Sequence, residues 1–432
     1  MRLPSRFSLS RLAFCFLLIG SAFPCRATES LSELRDIGQV SFNHDGSRVI
    51  VRHGNGSIGV WEAPSGKAVA TDLSPKTAAE HYVISGDRKR FVAGFKDGHS
   101  RVFDSATGKA LSPLLGSPLK IGLNMPALFS PDGASLLIFS DKEAAVFNVS
   151  TGKRIVAIPL KKGSNSDESD SDAYAAEPGS AAFAADGAQC FLIDSRGDVR
   201  RYDTKVWKPI GKPMHHPETQ HSWQYSFAVS EDGKWLATFD DPGENALKAN
   251  LQLWDVAAEK PLGEPFVGTN GFTARFLRNN RVLIIPERAT EAKVIDLPSM
   301  NVAYTLGAAH DDVDGPKANV SPDGKWVLVW GSDRRFDLFD VAMGKLQGQH
   351  AGSAQISEVL MAPDSSGCYV HFENTLVRLS FPDLKITQSL PVTAGAGNIP
   401  LSPDGKLFVM PQGEGDQERL VFFDAATLKP LE

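Results

Sequence analysis

A chain of 432 residues with 45 Lys and Arg against 51 Asp and Glu, a formal charge of −6, has no basic excess with which to hold a phosphate backbone. Nucleic acid is therefore not an expected partner, and four cysteines are too few for a disulfide framework. Length alone would allow two or three domains.

Residues 1–27 read as a cleaved export signal. Arg2, Arg6 and Arg11 precede the apolar run "LAFCFLLIGSAF", and "CRA" ends in Ala27 with the small-residue pattern of a cleavage site. The run falls short of the roughly 20 apolar residues that cross a bilayer. A lipid anchor at Cys25 is disfavoured by the Phe-Pro before it. Four arginines and no acid leave with this segment, so 41 basic residues then face 51 acidic ones, a balance of −10. No later stretch is apolar enough for stable membrane insertion, and the expected location is periplasmic or secreted. Of the cysteines, Cys190 and Cys368 remain; they fall in distant units and are expected as buried thiols.

From residue 36 onward one pattern recurs. Its first half appears as "SFNHDGSRVIV", "LFSPDGASLLIF", "AVSEDGKWLATF", "NVSPDGKWVLVW" and "PLSPDGKLFVM", with weaker copies between. Its second half appears as "VFDSATGK", "LWDVAAEK", "LFDVAMGK" and relatives. A bulky residue precedes a Lys by six positions in eight of nine copies: Trp61, Phe103, Phe147, Tyr202, Trp254, Ile295, Phe339, Leu379 and Phe423, where only Ile295 lacks the Lys. The intervals run 42, 44, 55, 52, 41, 44, 40 and 44 residues, the period of a four-stranded propeller blade. Short β-branched and aromatic runs are strands, Pro-Asp-Gly is a tight turn, and Thr-Gly-Lys closes the next hairpin.

These residues resemble the WD-repeat β-propellers over about 36–432. Trp254-Asp255 stands as that family's signature dipeptide, and Phe103 and Phe339 take the Trp place elsewhere. The resemblance implies a structural Asp in the turn before the signature strand. Asp97, Asp141 and Asp333 occupy that place, and Asn55 does so in the first unit. It also implies a structural role for Trp61, Trp254 and Phe339, between blades. Units four, six and eight are degenerate. The expectation is an all-β chain, residues 28–432 forming a single closed propeller of four-stranded antiparallel blades. Nine units are counted, at about 36–78, 79–122, 123–177, 178–222, 223–268, 269–312, 313–352, 353–393 and 394–432, so the ring has eight or nine blades.

Chemistry is sparse on this frame. No G-x-S-x-G elbow, C-x-x-C-H or H-E-x-x-H occurs, and no cofactor is called for. Asp132, Asp323 and Asp404 recur with the repeat and are read as turn residues, since a catalytic site needs one copy. The copies differ in four segments expected on one face: 161–179, 211–223, 239–250 and 307–315. There His215, His216, His221, Asp240 and Asp241 are weak metal candidates, against the blander reading that one His belongs between blades. "SDESDSD", with Asp167, Asp170 and Asp172, and "HDDVDG" at 310–315 are weaker Ca²⁺ candidates, better read as an acidic loop and a polar turn. Trp235 and Trp326 follow Asp-Gly-Lys and belong to the core, whereas Trp223 is the tryptophan expected at the surface. The expected binding face is His215, His216, His221, Trp223, Asp240, His310 and Asp311. Two functions compete. One is a non-enzymatic scaffold for an unidentified protein partner; the other is a metal-dependent propeller enzyme, lactonase-like, at the central channel.

Overall fold

The computed structural model describes residues 37–431 except 75–76, 117–126, 140–142, 161–180, 195, 218–223, 242–247, 269–270, 287–290, 308–316, 332–333, 353–355, 373, 393–398 and 413–418. The expected export signal, Asp141, Asp333 and the acidic loop around Asp167, Asp170 and Asp172 lie outside the described residues. Among the described residues every regular element is a strand, and no helix is long and apolar enough to cross a membrane.

Nine antiparallel sheets follow one another, seven of them four-stranded and each built from consecutive strands. Blade five is representative: Gln224–Val229, Trp235–Asp241, Ala249–Asp255 and Lys260–Gly268. The degenerate units four, six and eight form four-stranded sheets as regular as the others, because their second and third strands kept their apolar faces. Blade two has three full strands, Ala79–Ile84, Arg90–Phe95 and Ser100–Asp104, plus two isolated bridges, Phe103 to Ala110 and Ser100 to Leu115. Its outer strand is broken where the Ser112 hydroxyl, beside Pro113, takes the Val102 N–H at 3.0 Å. Blade nine has Leu407–Gln412 and Arg419–Asp424, flanked by single bridges at Leu401 and Pro430.

First strands meet first strands. The Gln39 amide both donates to Tyr82 O and accepts from Tyr82 N–H, at 2.9 and 3.2 Å, and Ile399 N–H donates to Glu358 at 3.1 Å. First strands therefore surround the centre, while fourth strands are the most exposed and form the rim. Second and third strands are nearly all apolar and buried; Trp326–Trp330 is buried throughout.

Nine apolar clusters lie between nine pairs of neighbouring blades. Every bulky signature residue is buried in the cluster shared with the preceding blade: Trp254 with blade four, Phe339 with blade six, and Trp61 with blade nine. That last cluster joins Phe42, Val49 and Val51 to Val409, Leu420 and Phe422, so the ring closes and the blade number is nine. Trp207, Trp235, Trp326 and Trp330 are also buried, as are the free thiols Cys190 and Cys368.

Five first turns share one bonding scheme. Ser85, Ser130, Ser230, Ser321 and Ser402 each donate to the Asp two residues on, at 2.6–2.8 Å. Each hydroxyl also accepts the N–H five residues on, at 2.9–3.0 Å. The Asp accepts the N–H two residues after itself, at 2.9–3.1 Å. The chain then reverses through a residue in the left-handed region, such as Gly324 at φ 72°. The Asp of "FDSATGK" closes the other hairpin: Asp104 accepts from Thr107 N–H and Thr107 O–H at 2.8 and 2.7 Å. Asp97 lies in the turn between the second and third strands of blade two, exposed, where its carboxylate accepts His99 N–H at 3.1 Å.

The Ser130 hydroxyl, with the Ala134 N–H, holds the Asp132 carboxyl below the usual range. A depressed carboxyl pKa adds stability that is complete above the unfolded value of about 4 and disappears as pH falls through the lower folded value. Asp132→Ala is thus expected to cost about 1 kcal/mol at pH 7. The gap to the parent protein should narrow below pH 4, as measured by denaturant unfolding; a deficit equal at pH 7 and pH 3 would contradict this role.

At the rim, neighbouring blades complement one another in size. Gly211 on the outer strand of blade four has no room for a Cβ because Glu259 of the next blade's turn lies over it. Gly263 of blade five only touches Met300 of blade six, at an ordinary contact distance of 3.6 Å from a Cβ position. At the following joint the order reverses, and the Tyr304 ring of blade six covers Gly344 of blade seven.

Candidate functional site

Strands alternate in direction, so the first and third turns of every blade share one face, and the second turns and inter-blade connections share the other. Three of the four segments in which the copies differ are inter-blade connections, 161–179, 211–223 and 307–315; the fourth, 239–250, is a second turn. Segments 161–179 and 307–315 lie almost wholly outside the described residues, together with His310 and Asp311. The other two meet at the joint of blades four and five, and their described parts form a polar cluster.

His215 ends the outer strand of blade four, Lys208–His215, and pairs in register with Asp198. Its Nδ1 is 2.5 Å from Asp198 Oδ1, and its side chain is 68% exposed, whereas that of Asp198 is 8% exposed. Asp194 underlies this pair, accepting N–H groups from Arg196 and Asp198 at 3.1 and 3.2 Å. Burial, with the neighbouring Asp198 charge adding to it, pushes the Asp194 carboxyl upward.

His216, one residue on, points the other way and is buried between the blades. Trp254 Nε1–H donates to Thr238 Oγ1 at 2.9 Å, and Thr238 Oγ1 is 2.8 Å from His216 Nδ1. An indole can only donate, and Thr238 has no other acceptor among the described contacts, so its O–H donates to Nδ1. The ring proton then sits on Nε2, which faces Asp240 Oδ1 at 3.9 Å with both side chains fully buried. Asp240 also takes the Asn250 N–H at 2.6 Å, closing the second turn of blade five. Burial pushes the His216 pKa down, which keeps the imidazole neutral.

This geometry removes His216 and Asp240 from the expected binding face, because a side chain locked between two sheets contacts no partner. It also separates the metal candidates: His215 and His216 diverge, His221 and Trp223 lie outside the described residues, and of Asp241 only the backbone is described. Among the described residues no group of three or more His, Cys, Asp or Glu side chains converges as a metal would require. Of the candidates, His215 is the one that is described and exposed. Sequence reasoning missed Thr238 and Asp198. Thr238 could have been noticed as the polar residue in the apolar strand "WLATF", on the face that Trp254 also uses.

Replacing Thr238 by Val leaves the Trp254 N–H and His216 Nδ1 buried without partners, an expected loss of about 2–4 kcal/mol. Thr238→Ser keeps the hydroxyl and should lose about 1 kcal/mol. Equal stabilities of the two variants in urea unfolding would contradict the relay.

No protein-family model matches the chain, and no curated protein sequence matches it. Among solved structures it is similar to a crystal structure of the eukaryotic initiation factor, with a TM-score of 0.65 and 14% identity, covering 89% of this chain and 95% of that one. The computationally designed protein Ika8 gives a TM-score of 0.50 at 16% identity, covering 83% and 97%. The C-terminal WD40 domain of Sif2 is matched more loosely, with a TM-score of 0.49 at 15% identity, covering 80% and 95%. The nine sheets, with the first two likenesses, define the chain as a β-propeller. At such identities the similarity speaks to the fold alone.

Proposed function

We propose that this chain is an exported, non-enzymatic scaffold that holds a protein partner on the face bearing the second turns and inter-blade connections. The observation that supports it best is the contrast between the two faces. On one, five of the nine first turns repeat a single self-satisfying bonding scheme; on the other, the connections vary in length and composition from blade to blade, which is where a rigid frame carries recognition. The basic and apolar N-terminal segment supports a role outside the cytoplasm. His215, held by Asp198, is an exposed polar group on that face with a fixed orientation.

The test uses the exported chain as bait against a cell-envelope fraction, with residues 218–223 replaced by Gly and Ser and with His215→Ala as a second bait. A partner retained stoichiometrically by the parent and lost by either variant is the expected result. Equal recovery by all three baits would rule out that part of the face.

A further inference from the structure

We propose that the joint of blades six and seven, on the opposite face, binds a phosphate group. The argument begins with one departure from the repeat. Three residues before the second strand of a blade stands an Asp in eight copies: Asp45, Asp87, Asp132, Asp186, Asp232, Asp323, Asp364 and Asp404. In blade six that place is Arg278, within "RFLRNNR", so a turn that elsewhere ends in a carboxylate ends in a guanidinium.

Beside it the structure opens a cavity of about 210 Å³. Three cationic side chains line it: Arg278, Arg281 and Lys325. Arg281 is fixed in place, with Nε on Asp296 Oδ1 at 2.8 Å and Nη1 on the carbonyls of Val341 and Ala342 at 3.3 and 3.1 Å. Arg278 forms no hydrogen bond or ion pair among the described residues. Lys325 lies over the Trp326 ring, 4.6 Å from its centre, and among the described residues forms no ion pair within 4 Å, although its charge helps lower the pKa of the nearby Asp323 carboxyl. The one acid in the lining, Asp323, already has Oδ1 engaged by the Ser321 hydroxyl at 2.6 Å and the Lys325 N–H at 2.9 Å. Gly324, with no Cβ, lets the Arg278 side chain lie against it.

One braced guanidinium, one unpaired guanidinium and one ammonium around a small cleft match a compact dianion. The guanidinium forks suit its oxygens and the ammonium adds a point charge. Against the single carboxylate of the lining, Asp323, stand three cationic side chains, and Arg278 is the first-turn position where the repeated negative charge is reversed.

Binding is tested on the full exported chain by calorimetric titration with inorganic phosphate, at ionic strength held constant with NaCl, beside titrations with acetate. Saturable binding of one phosphate, with acetate at least tenfold weaker, is expected. Arg278→Asp restores the residue of the other eight turns, so the variant should fold as the parent does, and its phosphate affinity should fall at least tenfold. Lys67→Ala, at a rim turn of blade one, should leave affinity unchanged. Absence of saturable binding by the parent, acetate binding as tightly as phosphate, or unaltered affinity in Arg278→Asp would each overturn the site.

Discussion

Truncation of Phe42 to Ala is expected to destabilise the protein by about 3–5 kcal/mol and to lower the cooperativity of its unfolding. Phe42 is fully buried at the end of the first strand of blade one, its ring centre 6.3 Å from that of Phe422 in blade nine. The described strands of blade one come from residues 37–70 and those of blade nine from 407–424, so among the described residues no strand crosses this joint. Eight joints are held by packing and by the chain running through them; this one, among the described residues, is held by packing alone. The cavity left by Phe42→Ala therefore weakens the one contact whose loss opens the ring without unfolding a blade. Phe336→Ala, equally buried between blades seven and eight, is the matched control. Urea unfolding should give Phe42→Ala a smaller m value or a separate early transition, and Phe336→Ala a shifted midpoint with m unchanged. Identical m values in the two variants would show that the closing joint is no weaker a seam than the rest.

Loss of the Asp337 carboxylate should cost about 3 kcal/mol. Asp337 lies in the third strand of blade seven, Arg335–Asp340, fully buried on the side facing blade six. Its Oδ2 accepts from Arg335 Nη2 at 3.0 Å and its Oδ1 from Gln349 Nε2 at 2.8 Å. Asp337→Ala strands the Gln349 amide and leaves the guanidinium without its counter-charge; Arg335, one-third exposed, can recover part of that loss from water. Asp337→Asn keeps an acceptor for Gln349 and gives up only the ion pair, so it should fall between parent and Asp337→Ala. Denaturant midpoints of the three proteins check the order, and an Asp337→Ala protein as stable as the parent would contradict it.

The frame was legible in the sequence because it is repeated. Trp61, Phe339 and the other bulky residues are spaced by the blade period, and that spacing depends on nothing beyond the hairpins that carry them. Eight or nine blades could not be resolved from the repeats, since weak units and strong ones pack alike; contact between Phe42 and Phe422 decides it. The joint of blades four and five was read in part. Its histidines were noticed as a group, yet alternation along the chain sends His215 to water and His216 between the sheets, and one residue's difference in strand register would exchange them. Thr238 stayed hidden because its importance comes from Trp254 and His216, 16 and 22 residues away, and no local pattern reports such a meeting.

The size complementarity at the rim has a consequence for how the ring is specified. The turns and signature residues of the blades are nearly interchangeable, so they say that a blade follows a blade, not which one. Glu259 over Gly211 and Tyr304 over Gly344 do say which. A blade ending in Tyr304 accepts a successor whose turn carries Gly and collides with one carrying Met. Two blades exchanged in the gene would bring bulk against bulk at one joint and glycine against glycine at another. The rim acts as an address for each blade's successor and guards a nearly repetitive chain against closing in the wrong order.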